Sequence, residues 1–320
     1  VQKVGTDINQ AIQCLELGLL IGIPTETVYG LAANAFDSSA VLSIYKAKNR
    51  PEFNPLIIHS DSLQKFEGWG LHLPEKLKLL AAHFSPGPLT YVIPKSNHIP
   101  DVVTAGTDAV AIRIPKHPLT LSLLQKINFP VAAPSANPSG YVSPTNAQHV
   151  FSQLEDQVSY ILDGGDCKIG LESTIISFLE DTPRILRYGG LAVEEIENII
   201  GKVLLPAEGF VDNPVAPGQL ARHYATRHKL IIGNPHDYMK DYDPERTGII
   251  SFSSCYKHIP SKHQFLLSKD RNMDEAAQKL FAAMRQIDQL DIDIIIAEHF
   301  PNTGLGRAIN DRLKRASITA

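Results

Sequence analysis

The segment Pro24-Thr25-Glu26-Thr27-Val28-Tyr29-Gly30-Leu31 constrains this chain most. It follows Leu19-Leu20-Ile21-Gly22-Ile23, an apolar run of strand length that reads as a buried strand. Pro24 ends that strand, because it cannot donate to a sheet ladder. Two hydroxyls, a carboxylate, a phenol and a glycine then crowd one short turn. A turn needs Gly or Asn for its backbone, but not this density of hydrogen-bonding side chains. Polar groups at a strand exit are where α/β proteins build ligand sites. Taken alone, the segment also reads as a helix N-terminus capped by Thr25 or Thr27.

The next segment adds cations. Ser38 to Asn49 reads as a short amphipathic helix with Val41, Ile44 and Tyr45 on one face. Its end carries Lys46, Lys48 and Arg50, followed by Pro51 and Asn54-Pro55-Leu56-Ile57-Ile58-His59. Basic residues at a helix C-terminus are ordinary dipole partners. Here they sit in a loop stiffened by two prolines, which suits a polyphosphate or a carboxylate: arginine offers a planar fork, lysine a point charge. Arg113 stands in an otherwise apolar strand, Ala109 to Ile114. A buried charge requires a partner, either a structural ion pair or a substrate carboxylate. Ala132 to Gly140 is built almost wholly of small residues, which let backbone amides approach an anion closely. No serine here has the spacing of a nucleophile elbow, so the serines read as binding groups.

Five ordered motifs carry a family resemblance: PTETVYGL, KNRPEFNPLIIH, APSANPSG, ESTI (Glu172 to Ile175) and RYG (Arg187 to Gly189). Together they resemble the YrdC-type threonylcarbamoyl-AMP synthases, over roughly residues 5–205. Pro217 to Ala225 looks like the linker of the longer, two-domain members, and Thr303 to Leu313 like their second domain. The family's linker usually ends His-Tyr-Ala-Pro. Here Thr226 follows Ala225, which predicts a less rigid exit.

The resemblance implies an α/β fold: a YrdC-like twisted mixed sheet with a concave groove, plus a smaller Rossmann-like C-terminal domain. The division it implies is 1–205, a linker 206–228 over the site, and 229–320. It also implies a reaction. L-threonine takes up bicarbonate or carbon dioxide as a carbamate, whose oxygen attacks the α-phosphate of ATP and expels pyrophosphate. The product feeds threonylcarbamoyladenosine formation in tRNA, through a downstream transfer machinery. By the same resemblance Lys48 and Arg50 act at the reacting groups. Thr27, His59, Arg113, Ala133 and Ser173 meet threonine. Arg50, Asn54, Ala109, Ser135, Ser143, Arg187 and Tyr224 meet ATP, with Tyr224 placed over the nucleotide like a lid. Mg²⁺ is expected with ATP. The motifs hold no compact carboxylate cluster, so no protein ligand for it is assigned.

Composition narrows the alternatives. The net charge is −4, whereas a dedicated nucleic-acid binder is usually basic. An RNA-binding module using a concave basic groove is therefore the second reading, and a substrate sensor with a dead site the third. Cys14, Cys167 and Cys255 form no CxxC pattern, which disfavours zinc and points to a reducing compartment. No run reaches membrane-span length, and the first residues lack a basic-then-apolar signal, so the cytoplasm is the expected compartment.

Periodicity and turn residues place the remaining elements. Asp7 to Leu17 is a helix capped by Asp7 and stopped by Gly18. Strands are expected at 56–59, 89–93, 109–114, 131–133, 160–162, 174–178 and 185–187, and helices near 74–84, 118–126, 146–154 and 193–200. Strict alternation is absent, which argues for a mixed sheet. Beyond the linker, strands at 229–232, 247–252 and 292–297 and a long helix over 272–290 are expected. Gly304-Leu305-Gly306 lacks the third glycine and the acid of a dinucleotide fingerprint, and reads better as a turn.

Overall fold

The computed structural model describes residues 3–206, 214–218 and 223–318. Two parts of the expected linker, 207–213 and 219–222, lie outside the described residues. The first sheet contains β1 (Val4–Gly5), β2 (Ile21–Ile23), β3 (Gly30–Asn34), β4 (Ile57–His59) and β5 (Leu89–Pro94). It continues with β6 (Ala109–Arg113), β7 (Val131–Ala132), β8 (Tyr160–Leu162), β9 (Thr174–Ser177) and β10 (Arg184–Arg187). Their order is β1-β8-β2-β3-β7-β4-β6-β5-β9-β10, a mixed sheet as expected. The second sheet, of β11 (Lys229–Ile232), β12 (Thr247–Ser251), β13 (Gln264–Leu266) and β14 (Ile294–Ala297), runs β11-β14-β12-β13 with every pair parallel. An all-parallel sheet flanked by helices is a Rossmann-like arrangement.

Local chemistry explains most of the helices. In α1 (Ile8–Glu16), Asp7 Oδ1 accepts from the amides of Asn9 at 2.8 Å and Gln10 at 3.2 Å. In α2 (Ser38–Lys48), Asp37 caps Ser39 and Ala40 in the same way, and Asn49 ends the helix in the left-handed conformation, with φ 50°. Such caps satisfy backbone groups that a helix terminus leaves free. The other helices are α3 (Leu63–Gly68), α4 (Glu75–Phe84), α5 (Asp101–Thr104), α6 (Pro118–Lys126), α7 (Ala147–Leu154), α8 (Val193–Ile200), α9 (Pro235–Tyr238), α10 (Met273–Ile287) and α11 (Leu305–Ala316).

Sequence reading misses two elements that matter for the site. Strand β3, Gly-Leu-Ala-Ala-Asn, has no β-branched residue, yet it pairs with β2 on one side and β7 on the other. Its small residues suit a strand buried between neighbours. The helix α11 is hidden by Gly306, Asn310 and Asp311, although Leu305, Ile309, Leu313 and Ala316 have helical spacing. Gly306 is needed for packing: a Cβ there would lie 1.9 Å from the Pro301 carbonyl oxygen. The Gly304-Leu305-Gly306 run thus opens a helix, and close backbone approach accounts for its second glycine.

One apolar cluster joins the two sheets. Val28, Val142 and Leu171, from loops of the first sheet, pack with Tyr224, Leu280, Phe281, Ile309 and Leu313. Burying side chains of this size contributes about 1.5–3 kcal/mol each. The helices α10 and α11 are therefore held against loops in and beside the first sheet's motifs.

Candidate active site

Strand directions gather the site at one end of the first sheet. Strands β4 and β6 are parallel, and their last residues, His59 and Arg113, are register partners. Strand β5 runs antiparallel to β6, so it starts there, at Leu89. It is parallel to β9, so Thr174 starts there too, with Ser173 just before it. Strand β10 runs back along β9 and ends at Arg187, opposite Ile175. Residues far apart in sequence thus meet because parallel neighbours end together while antiparallel neighbours bring a start beside an end.

The opening motif is a strand-to-strand turn, not a helix N-terminus. Thr25 Oγ1 accepts from the amides of Thr27 at 3.1 Å and Val28 at 3.2 Å, and donates to the Val28 carbonyl at 2.6 Å. Strand β3 begins two residues later. The turn aims Thr27 and Glu26 at Arg113, whose Nη2 donates to Thr27 Oγ1 at 2.9 Å and Glu26 Oε1 at 2.8 Å. Glu26 Oε2 accepts from the Lys116 amide at 2.8 Å. Arg113 Nε donates to the Gly87 carbonyl at 3.2 Å. A structural ion pair is therefore present. Among the described residues Arg113 Nη1 makes no hydrogen bond, so part of the fork is left for a ligand.

The basic C-terminal end of α2 braces the small-residue loop. Lys48, buried at 1% exposure, donates through Nζ to the carbonyls of Ser135 at 2.5 Å and of Asn137. Burial, and secondarily Arg50, pushes its amine well below the ordinary lysine range. Arg50 Nε donates to the Asn54 carbonyl at 3.0 Å and Nη2 to the Pro55 carbonyl at 2.9 Å. Asn54 is buried beneath it, and its Oδ1 has no partner among the described residues. Arg187 donates to the Ser173 carbonyl at 2.9 Å and 3.1 Å and to the Ser173 hydroxyl at 3.2 Å. Ser173 Oγ also meets Thr90 Oγ1 at 2.7 Å.

These groups surround a cavity of about 50 Å³. Its wall includes Arg50, His59, Arg113, Ala133, Ser135, Ser173, Arg187 and Tyr224. The other expected residues stand back from it. Thr27 contacts Arg113, and Lys48 the Ser135 carbonyl. Ser143 is fully buried and donates to Glu172 Oε1 at 2.6 Å. Ala109 starts β6, at the far end from Arg113, and packs with Ile57, Val92, Ala111, Ile175 and Ala216. Tyr224 is fully buried, stacked on Phe281 with ring centroids 5.3 Å apart. Pro217, Gly218 and His223 complete the wall, so described parts of the linker close the cavity.

Its electrostatics suit an anion. Glu26 is paired with Arg113, and Glu172 with Arg312 at 2.9 Å. Arg50 and Arg187 instead donate only to uncharged oxygens, and both are nearly buried. A desolvated guanidinium with no carboxylate hydrogen-bonded to it is suited to an incoming anion. His59 has Nδ1 3.3 Å from the Val131 carbonyl, and burial, then Arg113, lowers it to about 3. It is a neutral imidazole at neutral pH. Sequence reading does not single out Glu26, Glu172 or Arg312, although all three lie inside the motifs that carry the resemblance. No local spacing reveals a pair separated by 140 residues.

The donors do not form a metal cage. No group of three His, Cys, Asp or Glu side chains suited to an ion occurs among the described residues, and both site carboxylates are engaged by arginine. All three cysteines are free, and among the described residues no helix is long and apolar enough to cross a membrane.

Two family models match in succession. One described as "Telomere recombination" covers residues 13–189, and one described as "Threonylcarbamoyl-AMP synthase, C-terminal domain" covers 191–317. A threonylcarbamoyl-AMP synthase of Pyrococcus abyssi is 41% identical, over 94% of this chain and 91% of its own length. The Bacillus subtilis threonylcarbamoyl-AMP synthase is 40% identical, over 97% and 92%. The crystal structure of P. abyssi Sua5 complexed with L-threonine superposes with a TM-score of 0.91 at 39% identity, covering 98% of this chain and 96% of that one.

Proposed function

This chain belongs to the threonylcarbamoyl-AMP synthase family, and on that premise we propose that it joins L-threonine, bicarbonate or carbon dioxide, and ATP into threonylcarbamoyl-AMP, releasing pyrophosphate. The observation that carries the reading is the pair of buried arginines, Arg50 and Arg187, neither hydrogen-bonded to a carboxylate, beside the part-occupied fork of Arg113.

The proposed roles follow from position. Threonine's carboxylate takes the open side of Arg113, near Ala133 and Ser173, with His59 as a neutral hydrogen-bonding wall. The P. abyssi relative's complex with L-threonine supports threonine as the amino-acid substrate. Bicarbonate and the threonine amine give a carbamate and water. A carbamate oxygen attacks the α-phosphorus, and the bond to the β,γ-diphosphate breaks. Arg50 and Arg187 receive the phosphates, while Lys48 fixes the loop that presents Ser135. Such a reaction depends mainly on positioning and charge neutralisation. Asn54, Ala109, Ser143 and Tyr224 are assigned to the nucleotide side, Ser143 and Ala109 as supports rather than wall. Mg²⁺ comes as part of the Mg–ATP substrate. The catalytic unit is assigned to 1–205 and the linker to 206–228, with the product passed to tRNA-modifying partners.

The deciding experiment is pyrophosphate release by purified protein given Mg–ATP. Release is expected only when threonine and bicarbonate are both present. Release unchanged by omitting either one rejects the assignment.

A further inference from the structure

The second sheet unit reaches the site through one side chain. Arg312, on α11, is fully buried. Its Nε donates to Glu172 Oε2 at 2.9 Å, Nη2 to the Tyr188 carbonyl at 2.8 Å and Nη1 to Asp311 at 2.7 Å. Its guanidinium lies over the Tyr224 ring, 5.0 Å from the centroid. Glu172 belongs to the cavity wall, beside Arg187 and Ser173. Its other oxygen takes the Ser143 hydroxyl.

A bare carboxylate on a wall that receives phosphates opposes ATP, because like charges in a desolvated site repel strongly. From this geometry, and resting on the reading of the cavity as an ATP site, we propose that Arg312 is a positioning residue of the nucleotide site: it cancels the charge of Glu172 and holds the Tyr224 ring over the cavity. The second unit is then part of the active site rather than an appendage. Burial acts to raise the Glu172 carboxyl, but Arg312, Arg187 and the Ser143 hydroxyl outweigh it and hold it at about 2, so it is charged whenever ATP binds. The neighbouring Arg187 acts on Glu172 only at longer range, because its donors are engaged by the Ser173 carbonyl and hydroxyl and the Pro217 carbonyl, so the direct pairing is left to Arg312.

The experiment measures Mg–ATP binding by calorimetry, and pyrophosphate release, on the full chain. Arg312→Met keeps bulk and removes charge. It is expected to weaken ATP binding about tenfold or more, the usual scale for breaking a buried charged pair, with a smaller change in KM for threonine. Adding Glu172→Gln to Arg312→Met is expected to bring ATP affinity back to within about threefold, because the repelling charge is gone. A merely structural role for Arg312 predicts no such rescue. Glu172→Gln alone is expected to bind ATP as tightly as the parent or more tightly, and this arm stands even if Arg312→Met does not fold. ATP affinity within twofold of the parent in Arg312→Met, no rescue in the folded double variant, or weaker binding by Glu172→Gln each overturns the proposal. A parent protein that binds no ATP overturns the underlying reading instead.

Discussion

Arg113 Nη2 lies 2.8 Å from Glu26 Oε1, with both side chains 5% exposed, so the group expected to hold a substrate carboxylate is already braced by a protein one. The brace fixes the guanidinium and leaves Nη1 over. Removing one member of a buried pair costs about 3–5 kcal/mol, because the other charge stays buried alone. Arg113→Ala is therefore expected to lower unfolding free energy by that order and to raise KM for threonine more than tenfold, with a smaller change for ATP. Arg113→Lys keeps a charge but loses the fork, so it should recover part of the stability and little threonine use. Denaturant titration and paired KM measurements check this. Threonine KM within twofold of the parent in Arg113→Ala would remove the assigned role.

Lys48 ties the end of α2 to the small-residue loop rather than facing the cavity. Its amine holds the carbonyls of Ser135 and Asn137. Lys48→Ala leaves both carbonyls without that donor in a buried place, so the loop carrying Ser135 should shift and nucleotide use should fall more than tenfold. Arginine is a poor replacement, since a planar fork does not fit a side chain with 1% exposure. Kinetics of either variant equal to the parent would show that the loop holds without this contact.

The histidines predict a pH dependence of stability. His59 sits near 3, against an ordinary value of 6.5. Between those values the unfolded chain binds a proton that the folded chain does not. Stability from this group is complete above about 6.5 and declines as pH falls toward 3. At pH 5 the loss is on the order of 2 kcal/mol. His149, near 4, and His223, near 3, act in the same direction. Glu172, held at about 2, contributes above the ordinary carboxyl range and loses its share only below it, so it does not mask the effect above pH 5. Unfolding free energies at about pH 7.5 and pH 5 should differ, and His59→Gln should shrink the difference by its share. An equal pH slope in parent and variant would contradict the placement of His59.

The linker predicts a conformational step. Pro217, Gly218, His223 and Tyr224 wall a cavity of about 50 Å³. Ligand sites for small molecules run to about 300–1,000 Å³. If ATP and threonine bind here as proposed, these residues withdraw to admit them and then close, as lids that exclude water do. Limited proteolysis in the linker should slow when both substrates are added. Tyr224→Ala, which loses the stack on Phe281 and the Arg312 contact, should be cut faster and release pyrophosphate more slowly. Cleavage rates blind to substrate and to Tyr224 would leave the linker a passive tether.

The sequence alone determined whatever depends on neighbours along the chain. Asp7 and Asp37 specify helix starts, Asn49 and Gly18 helix ends, and the apolar runs before His59, Arg113 and Arg187 specify strands. Ordered motifs also marked the residues that end those strands. Tertiary structure decided which strand ends meet. The His59–Arg113 register, the Glu26–Arg113 pair and the Glu172–Arg312 pair join positions separated by up to 140 residues. Strand β3 and the helix α11 took shape from packing: the first is made of small residues that fit between neighbours, the second carries Gly306 because Pro301 passes too close for a side chain. Periodicity encodes the face an element buries, but not the partner that covers it. Charge cancellation at Glu172 therefore became visible only when α11 was placed against the first sheet.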